Sequence, residues 1–308
     1  MQDEILVSIL CITYNHMKYI KSALNGFVHQ KTDFGFEVIV HDDASTDGTT
    51  DIIEEYVERY PTIIRPIYET ENQYSKGNSI FSIMLPEVRG RFVALCEGDD
   101  YWCDNHKLQK QVDIMRTHLN AVACVHNAWM VDCFTNKKSK FSAKEDDGSL
   151  SVEDIIHWGN RGYATASLLL KREYLIVPSE FQMTNVGDYP RAVYMALQGE
   201  IYYLKDCMSV YRFNASGSWN VKMTNDFLAY RRLIQDMNRM LQYADDYSNG
   251  KYHEVISKKI HLNCYNLSYK EILNGNKKED CLDSWNRLSV LEKIRISIMA
   301  NLRRILKY

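Results

Sequence analysis

The chain has 308 residues, 45% of them hydrophobic and 25% charged, with a net charge of −3. That composition belongs to an ordinary globular protein and excludes collagen-like, disordered and disulfide-scaffold classes. It also offers no general attraction for nucleic acid. The charge is uneven: residues 251–308 hold twelve Lys or Arg against six Asp or Glu, a net of +6, which leaves −9 for residues 1–250.

Residues 4–13 form an apolar run that predicts a buried first strand, ending at Thr13, Tyr14 and Asn15. Residues 18–30 place Tyr19, Ile20, Ala23, Leu24, Phe27 and Val28 on one helical stripe. Residues 36–40 read as a second buried strand leading into His41, Asp42 and Asp43. Ser45 to Thr49 then supply turn and capping residues for a helix over about 50–60, closed by Pro61. Residues 63–68 predict a third strand, 78–89 a helix and 91–96 a fourth strand. Four alternations of strand and helix within a hundred residues imply a parallel, right-handed β-α-β sheet.

Beyond this, 105–118 predicts a helix, and 121–131 and 164–170 predict further strands. Residues 135–150 read as a polar surface loop, and 201–204 and 208–213 as two short strands. From about 223 the pattern is helical to the end, so a domain of residues 1–220 is expected, followed by a helical region over 221–308. None of the eight cysteines forms a C-x-x-C pair, which argues against zinc and dithiol redox chemistry. The N-terminus shows no signal peptide and no apolar run of membrane-spanning length, so the chain reads as cytoplasmic with reduced thiols.

The most informative stretch is Glu97, Gly98, Asp99 and Asp100, followed by Tyr101 and Trp102. Three carboxylates within four positions at a strand end repel one another and resist dehydration. A divalent cation such as Mg²⁺ or Mn²⁺, with its preference for hard oxygen ligands, relieves that repulsion. A solvated acidic turn is the plainer reading of the same residues. Asp42 and Asp43 end another strand of the same parallel sheet, however, and the carboxyl ends of such strands share one edge, where ligands sit. No G-x-G-x-x-G or Walker A loop is present, so a nucleotide held here needs a metal to neutralise its diphosphate.

Residues 7–15 (VSILCITYN), 38–49 (VIVHDDASTDGT) and 97–102 (EGDDYW) together resemble glycosyltransferase family 2, in order and in spacing, over about 220 residues. The resemblance implies a GT-A fold, an α/β sheet flanked by helices, and transfer of sugar from a nucleoside-diphosphate sugar with inversion. A UDP-sugar is the default donor, and the acceptor is a hydroxyl of a glycan or lipid-linked oligosaccharide in surface polysaccharide synthesis. Carried over, Thr13, Tyr14 and Asn15 line the nucleotide pocket, Asp43 accepts from the base with Asp42 beside it, and Glu97, Gly98 and Asp99 form the D-x-D element. In that element Asp99 binds the metal and Glu97 faces the ribose and sugar. The family's first acid is Asp, and Glu stands here. Tyr14 and Trp102 also fit plain packing roles, and Asp100 can simply orient its neighbours. Lys76 and Asn78 read as a solvated loop that could reach the donor.

Residues 186–191 (VGDYPR) resemble the segment carrying the family's general base, which implies that role for Asp188; a helix N-cap is the ordinary use of such an Asp. Residues 210–219 (VYRFNASGSW) resemble the closing segment, with Arg212 on the diphosphate and a mobile turn at Ser216, Gly217 and Ser218. Asn214 stands where family members often carry His. His126, Asn127 and Arg161 read as a core histidine with its neighbour and a surface arginine, or as acceptor contacts. Two other functions stay open from the residues: a sugar-1-phosphate nucleotidyltransferase, whose Gly-rich basic loop is missing, and a non-catalytic nucleotide- or glycan-binding module.

In the tail, Leu291, Ile294, Ile298, Leu302 and Ile305 recur at helical spacing, with Lys293, Arg295, Arg303, Arg304 and Lys307 elsewhere on the helix. Such a helix suits either an anionic membrane surface or packing against protein.

Overall fold

The computed structural model describes residues 4–183, 187–215, 226–273 and 282–305. The chain divides into two compact units, one of residues 1–177 and 191–222, the other of residues 178–190 and 223–308. The boundary expected near 220 and the turn at Ser216, Gly217 and Ser218 fall outside the described residues.

The first unit is built on one mixed sheet. Strands β1 (Ile5–Thr13), β2 (Gly35–Asp42), β3 (Ile64–Tyr68) and β4 (Phe92–Leu95) lie parallel in the order β3-β2-β1-β4. The sheet then continues through β9 (Leu169–Lys171), β6 (Ala121–Asp132), β10 (Glu200–Phe213) and β5 (Tyr101–Trp102). Here the direction alternates: β9 runs antiparallel to β4 and β6, β10 runs parallel to β6, and β5 runs antiparallel to β10. Helices α1 (Ile20–Val28), α2 (Thr49–Arg59) and α4 (Lys107–Thr117) contribute to the core on one face. Val7, Ile9 and Cys11 of β1 pack there with Phe27, Ile53 and Leu108, while Leu10, Ile39 and Val93 are buried as well. Burial on both faces explains why these strands read as unbroken apolar runs instead of alternating ones.

Several expectations change in detail. The helix predicted over 78–89 is split into α3 (Ile80–Met84), capped by Ser79, and a 3-10 turn Leu85–Glu87. Pro86 lacks the N–H that an α-helix needs at that point. The strand predicted over 164–170 shrinks to β9, preceded by a 3-10 turn Thr165–Ser167. The surface loop over 135–150 contains two short strands, β7 (Lys138–Lys140) and β8 (Gly148–Leu150), paired with β6 and β10. Helix α5 (Val152–Trp158), closed at its start by a Ser151–Asp154 capping box, was not anticipated. The two short strands near 201–213 are a single strand, β10, whose register with β6 slips between Leu204 and Cys207 and again before Ser209. The bulge turns the exposed Lys205 and Asp206 outward, and this polar pair produced the false break in the pattern.

The second unit is helical: α7 (Phe227–Tyr247), α8 (His253–Leu273), α9 (Leu282–Asn286) and α10 (Val290–Ile305). Asp226 caps α7 by accepting from Ala229 N at 2.9 Å. Arg231 Nε pairs with the buried Glu271 at 2.7 Å, and Asn263 donates to Asn238 at 2.8 Å, which ties α7 to α8. Phe181 packs edge-on against Tyr243 and Tyr247 of α7. Among the described residues no helix is long and apolar enough to cross a membrane, and seven cysteines are free thiols.

Candidate active site

The carboxyl ends of β1, β2 and β4 carry the site, and their register explains why the two acidic tips meet. Thr13 pairs with Asp42, and Asp43 N donates to Thr13 O at 3.0 Å. On the other side of β1, Cys96 N donates to Leu10 O and Gly98 N to Ile12 O. Thr13 is therefore flanked by both tips. A methyl group on Gly98 would lie 2.6 Å from Thr13 Oγ1, 2.8 Å from its Cβ and 3.0 Å from His16 Nδ1. Only glycine lets the Glu97–Asp100 turn close this tightly over β1.

The first tip is laced into its own loops. Asp42 accepts from Ser45 N at 3.1 Å and Thr50 Oγ1 at 2.6 Å. Asp43, nearly fully buried, accepts from Gln73 N at 2.6 Å and Tyr74 N at 3.1 Å. Each Asp43 oxygen keeps a second lone pair for a ligand. Asn15 takes a left-handed backbone (φ 56°), donates its N–H to Ser45 Oγ at 2.9 Å, and accepts from Thr46 N at 2.8 Å. Asp47 accepts from Met17 N at 3.0 Å. These bonds fix the loops after β1 and β2 to each other. Tyr14 beside them is exposed.

The second tip is different. Asp99 is half-buried, and its carboxylate has no hydrogen bond or ion pair among the described residues. Asp100 is buried and accepts Arg212 N at 2.8 Å; burial and the charge of Asp99 push its pKa well up, against the pull of Arg212. The register of β10 with β5, Val210 opposite Tyr101, delivers Arg212 to this turn. The Arg212 guanidinium donates to the Asp99 carbonyl and lies against the rings of Tyr101 (4.5 Å) and Tyr19 (5.1 Å). Among the described residues it has no carboxylate partner, so its charge remains available to an anion.

His16 was missed in the sequence and lies at the junction. It feels Asp99, Asp47, Arg212 and Asp42 together; burial lowers its pKa, the three carboxylates oppose that, and Arg212 adds to it. Among the described residues its Nδ1 and Thr13 Oγ1 are buried without hydrogen-bond partners. The signal lay in the polar run that follows β1, where a histidine looked like any loop residue.

Other expected contacts take ordinary places. Trp102 is core: its Nε1 donates to Ala166 O at 2.9 Å, Phe27 packs edge-on at 4.8 Å, and Lys107 Nζ sits 3.9 Å from its ring centre. His126 is fully buried, with Nδ1 2.6 Å from Asn127 O, and Asn127 is buried beside it. Arg161 is exposed. Lys76 pairs with Glu71 on an exposed loop, and Asn78 donates to Gln73 at 2.7 Å. Asn214 donates to Asp132 at 3.3 Å. Asp188 is exposed in the first turn of α6 (Asp188–Gln198) and belongs to the second unit, whereas the residues above belong to the first.

The donor set fits a metal that arrives with its ligand. Among the described residues no three His, Cys, Asp or Glu side chains are grouped to hold an ion. Asp99 offers one unengaged hard carboxylate, and Mg²⁺-type ions are commonly held by one or two carboxylates, with phosphate oxygens and water completing the shell.

Comparison with known proteins gives the family and the fold. An uncharacterized protein of Mycobacterium tuberculosis is 38% identical over 221 residues, which cover 71% of this chain and 62% of that protein. The chain thus spans about three fifths of the length of such curated relatives. Staphylococcus aureus TarS 1-349, solved in complex with UDP, superposes with a TM-score of 0.57 at 18% identity, over 88% of this chain and 92% of that one. The mannosyltransferase PcManGT of Pyrobaculum calidifontis, solved with GDP-Man and Mn²⁺, gives 0.56 at 17% identity, over 98% and 81%. The fold is GT-A, with a helical C-terminal part. Residues 8–183 match the model of glycosyl transferase family 2, and the chain belongs to that family.

Proposed function

We propose that this chain is a divalent-metal-dependent, inverting glycosyltransferase that uses a nucleoside-diphosphate sugar, with a UDP-sugar as the first donor to test. The sugar goes to a hydroxyl of a glycan or lipid-linked oligosaccharide in surface polysaccharide synthesis, on the cytoplasmic side of the membrane. The observation that carries the reading is the meeting of the two acidic tips over Thr13, with Arg212 tied to the Glu97–Asp100 turn. The TarS complex holds UDP and the mannosyltransferase complex holds GDP-Man and Mn²⁺, which supports a nucleotide-sugar donor and a metal here.

In this reading Thr13, Tyr14, Asn15 and Asp43 bind the nucleoside, with Asp42 holding their loop. Glu97 and Gly98 face ribose and sugar, and Asp99 holds the metal. Bound there, a divalent cation stabilises charge on the departing diphosphate. Arg212 adds a second cationic contact to the same phosphates, and Asp100 keeps Arg212 in place through its backbone N–H. Inversion needs a carboxylate within reach of the acceptor hydroxyl's proton on the side opposite the leaving group, and the resemblance of residues 186–191 nominates Asp188.

A thermal-shift screen of UDP-, GDP- and dTDP-sugars with and without Mn²⁺ tests donor class and metal together. A response to one nucleotide family that requires Mn²⁺ supports the proposal, and no response to any sugar nucleotide overturns it. Asp188→Asn should keep donor affinity and lower turnover roughly 10²-fold or more. Unchanged turnover in that variant removes Asp188 as the base.

A further inference from the structure

Helix α10 has two apolar faces, and one of them is uncovered. Ile296 points inward and packs with Trp285 and Leu288. On the outer side Val290, Leu291, Ile294 and Ile298 are 71%, 78%, 51% and 54% exposed. At about 100° per residue these four fall within one arc of roughly 100°, a continuous stripe along the helix. Isolated exposed apolar residues are common, but four in nine positions on one face are not.

The charges around the stripe identify what covers it. Lys293 and Arg295 border its two edges by the same helical geometry, and neither has an ion pair among the described residues. Glu292, the one acid within α10, lies on the opposite side: its carboxylate accepts from Ser289 N at 2.9 Å and Ser289 Oγ at 2.7 Å, and lies 2.7 Å from His261 Nε2. The outer face is thus apolar at its centre and only basic at its margins. A second copy of the same helix would bring like charges together, whereas a layer of anionic headgroups over hydrocarbon satisfies both parts. The surrounding sequence agrees, with the net of +6 over residues 251–308. The side chains of Leu302, Arg303, Arg304 and Ile305 and all of Lys307 lie outside the described residues.

The geometry points to a membrane-docking face: the outer side of α10, Val290, Leu291, Ile294 and Ile298 between Lys293 and Arg295, seats in the headgroup region of an anionic bilayer. This attaches the protein to the surface without spanning it.

Flotation of the full chain with vesicles tests this without donor, metal or acceptor, so the result is independent of the transferase reading. The wild type should float with vesicles of equal parts phosphatidylglycerol and phosphatidylcholine, and poorly with phosphatidylcholine alone. The double substitution Leu291→Glu/Ile294→Glu should reduce flotation roughly tenfold or more. Lys293→Glu/Arg295→Glu should lower it and flatten its salt dependence. All four positions are partly or fully exposed, so the thermal midpoint should hold, which separates lost docking from lost folding. Equal flotation of the Leu291→Glu/Ile294→Glu protein overturns the assignment. So does absence of wild-type flotation, or a solution dimer that this substitution abolishes while no vesicle binding is seen.

Discussion

Two acidic tips of one sheet look alike in sequence and are used in opposite ways. The tip after β2 spends its carboxylates on the protein: Asp42 and Asp43 together accept four hydrogen bonds, from Ser45, the first turn of α2, and the segment after β3. The tip after β4 divides the work within itself. Asp100 is buried to hold Arg212, and the Asp99 carboxylate is left without a hydrogen bond or ion pair among the described residues. Clustered acids therefore do not mark a metal site by their number. The informative property is which carboxylate the fold leaves unsatisfied.

If that contrast is real, equivalent substitutions on the two sides must fail differently. Asp99→Ala should leave the melting temperature nearly unchanged and cut turnover about 10³-fold, because it removes charge stabilisation and no packing. Steady-state kinetics with Mn²⁺, alongside a thermal melt, separates the two. Gly98→Ala attacks the contact between the tips. With a methyl 2.6 Å from Thr13 Oγ1, the turn must lift, at a cost of about 1–3 kcal/mol in stability. Turnover should fall more than tenfold and the melting temperature should drop with it; wild-type values for both would contradict the close contact between the tips.

Asp43→Ala should show the reverse of Asp99→Ala. It strands the backbone N–H groups of Gln73 and Tyr74, costing about 1–3 kcal/mol in a denaturant titration, while any remaining donor binding should still respond to metal. A drop in metal response equal to that of Asp99→Ala would erase the distinction.

The smallest effect concerns the floor beneath the second tip. Lys107 is fully buried against Trp102 and hydrogen-bonded to Gln111 at 2.7 Å, and burial pulls its pKa down to about 7 from an ordinary 10.5. The unfolded chain then binds more protons than the folded one between those values, so stability should rise with pH across that window. Below about pH 7 the charged form is buried at a cost, which the Trp102 ring offsets in part. Thermal midpoints from pH 7 to 10 should climb more steeply for the wild type than for Lys107→Met, and parallel curves would contradict this.

Much of this was legible in one dimension, for definable reasons. Buried parallel strands leave long apolar runs, and each run ended at its acids, so β1 to β4 and both tips could be read directly. The match of three ordered motifs carried the family. Bulges hide in sequence: Lys205 and Asp206 looked like a loop although β10 runs through them. Short strands such as β7 and β8 depend on partners far along the chain, and α5 was too brief to show a period. The division of labour between Asp43 and Asp99 rests on which backbone N–H groups reach each carboxylate, and His16 became visible only when Gly98 closed over it. Trp102 reads from sequence as a packing aromatic rather than a site residue, and Ala166 and Phe27 hold it in the core.

The most direct test is titration calorimetry of a nucleoside diphosphate with and without Mn²⁺ on the wild type, Asp99→Asn and Asp43→Asn. Mn²⁺ should tighten binding at least tenfold in the wild type and in Asp43→Asn, and make no difference in Asp99→Asn. Binding to the wild type that ignores the metal, or a metal response that survives Asp99→Asn intact, would contradict the account.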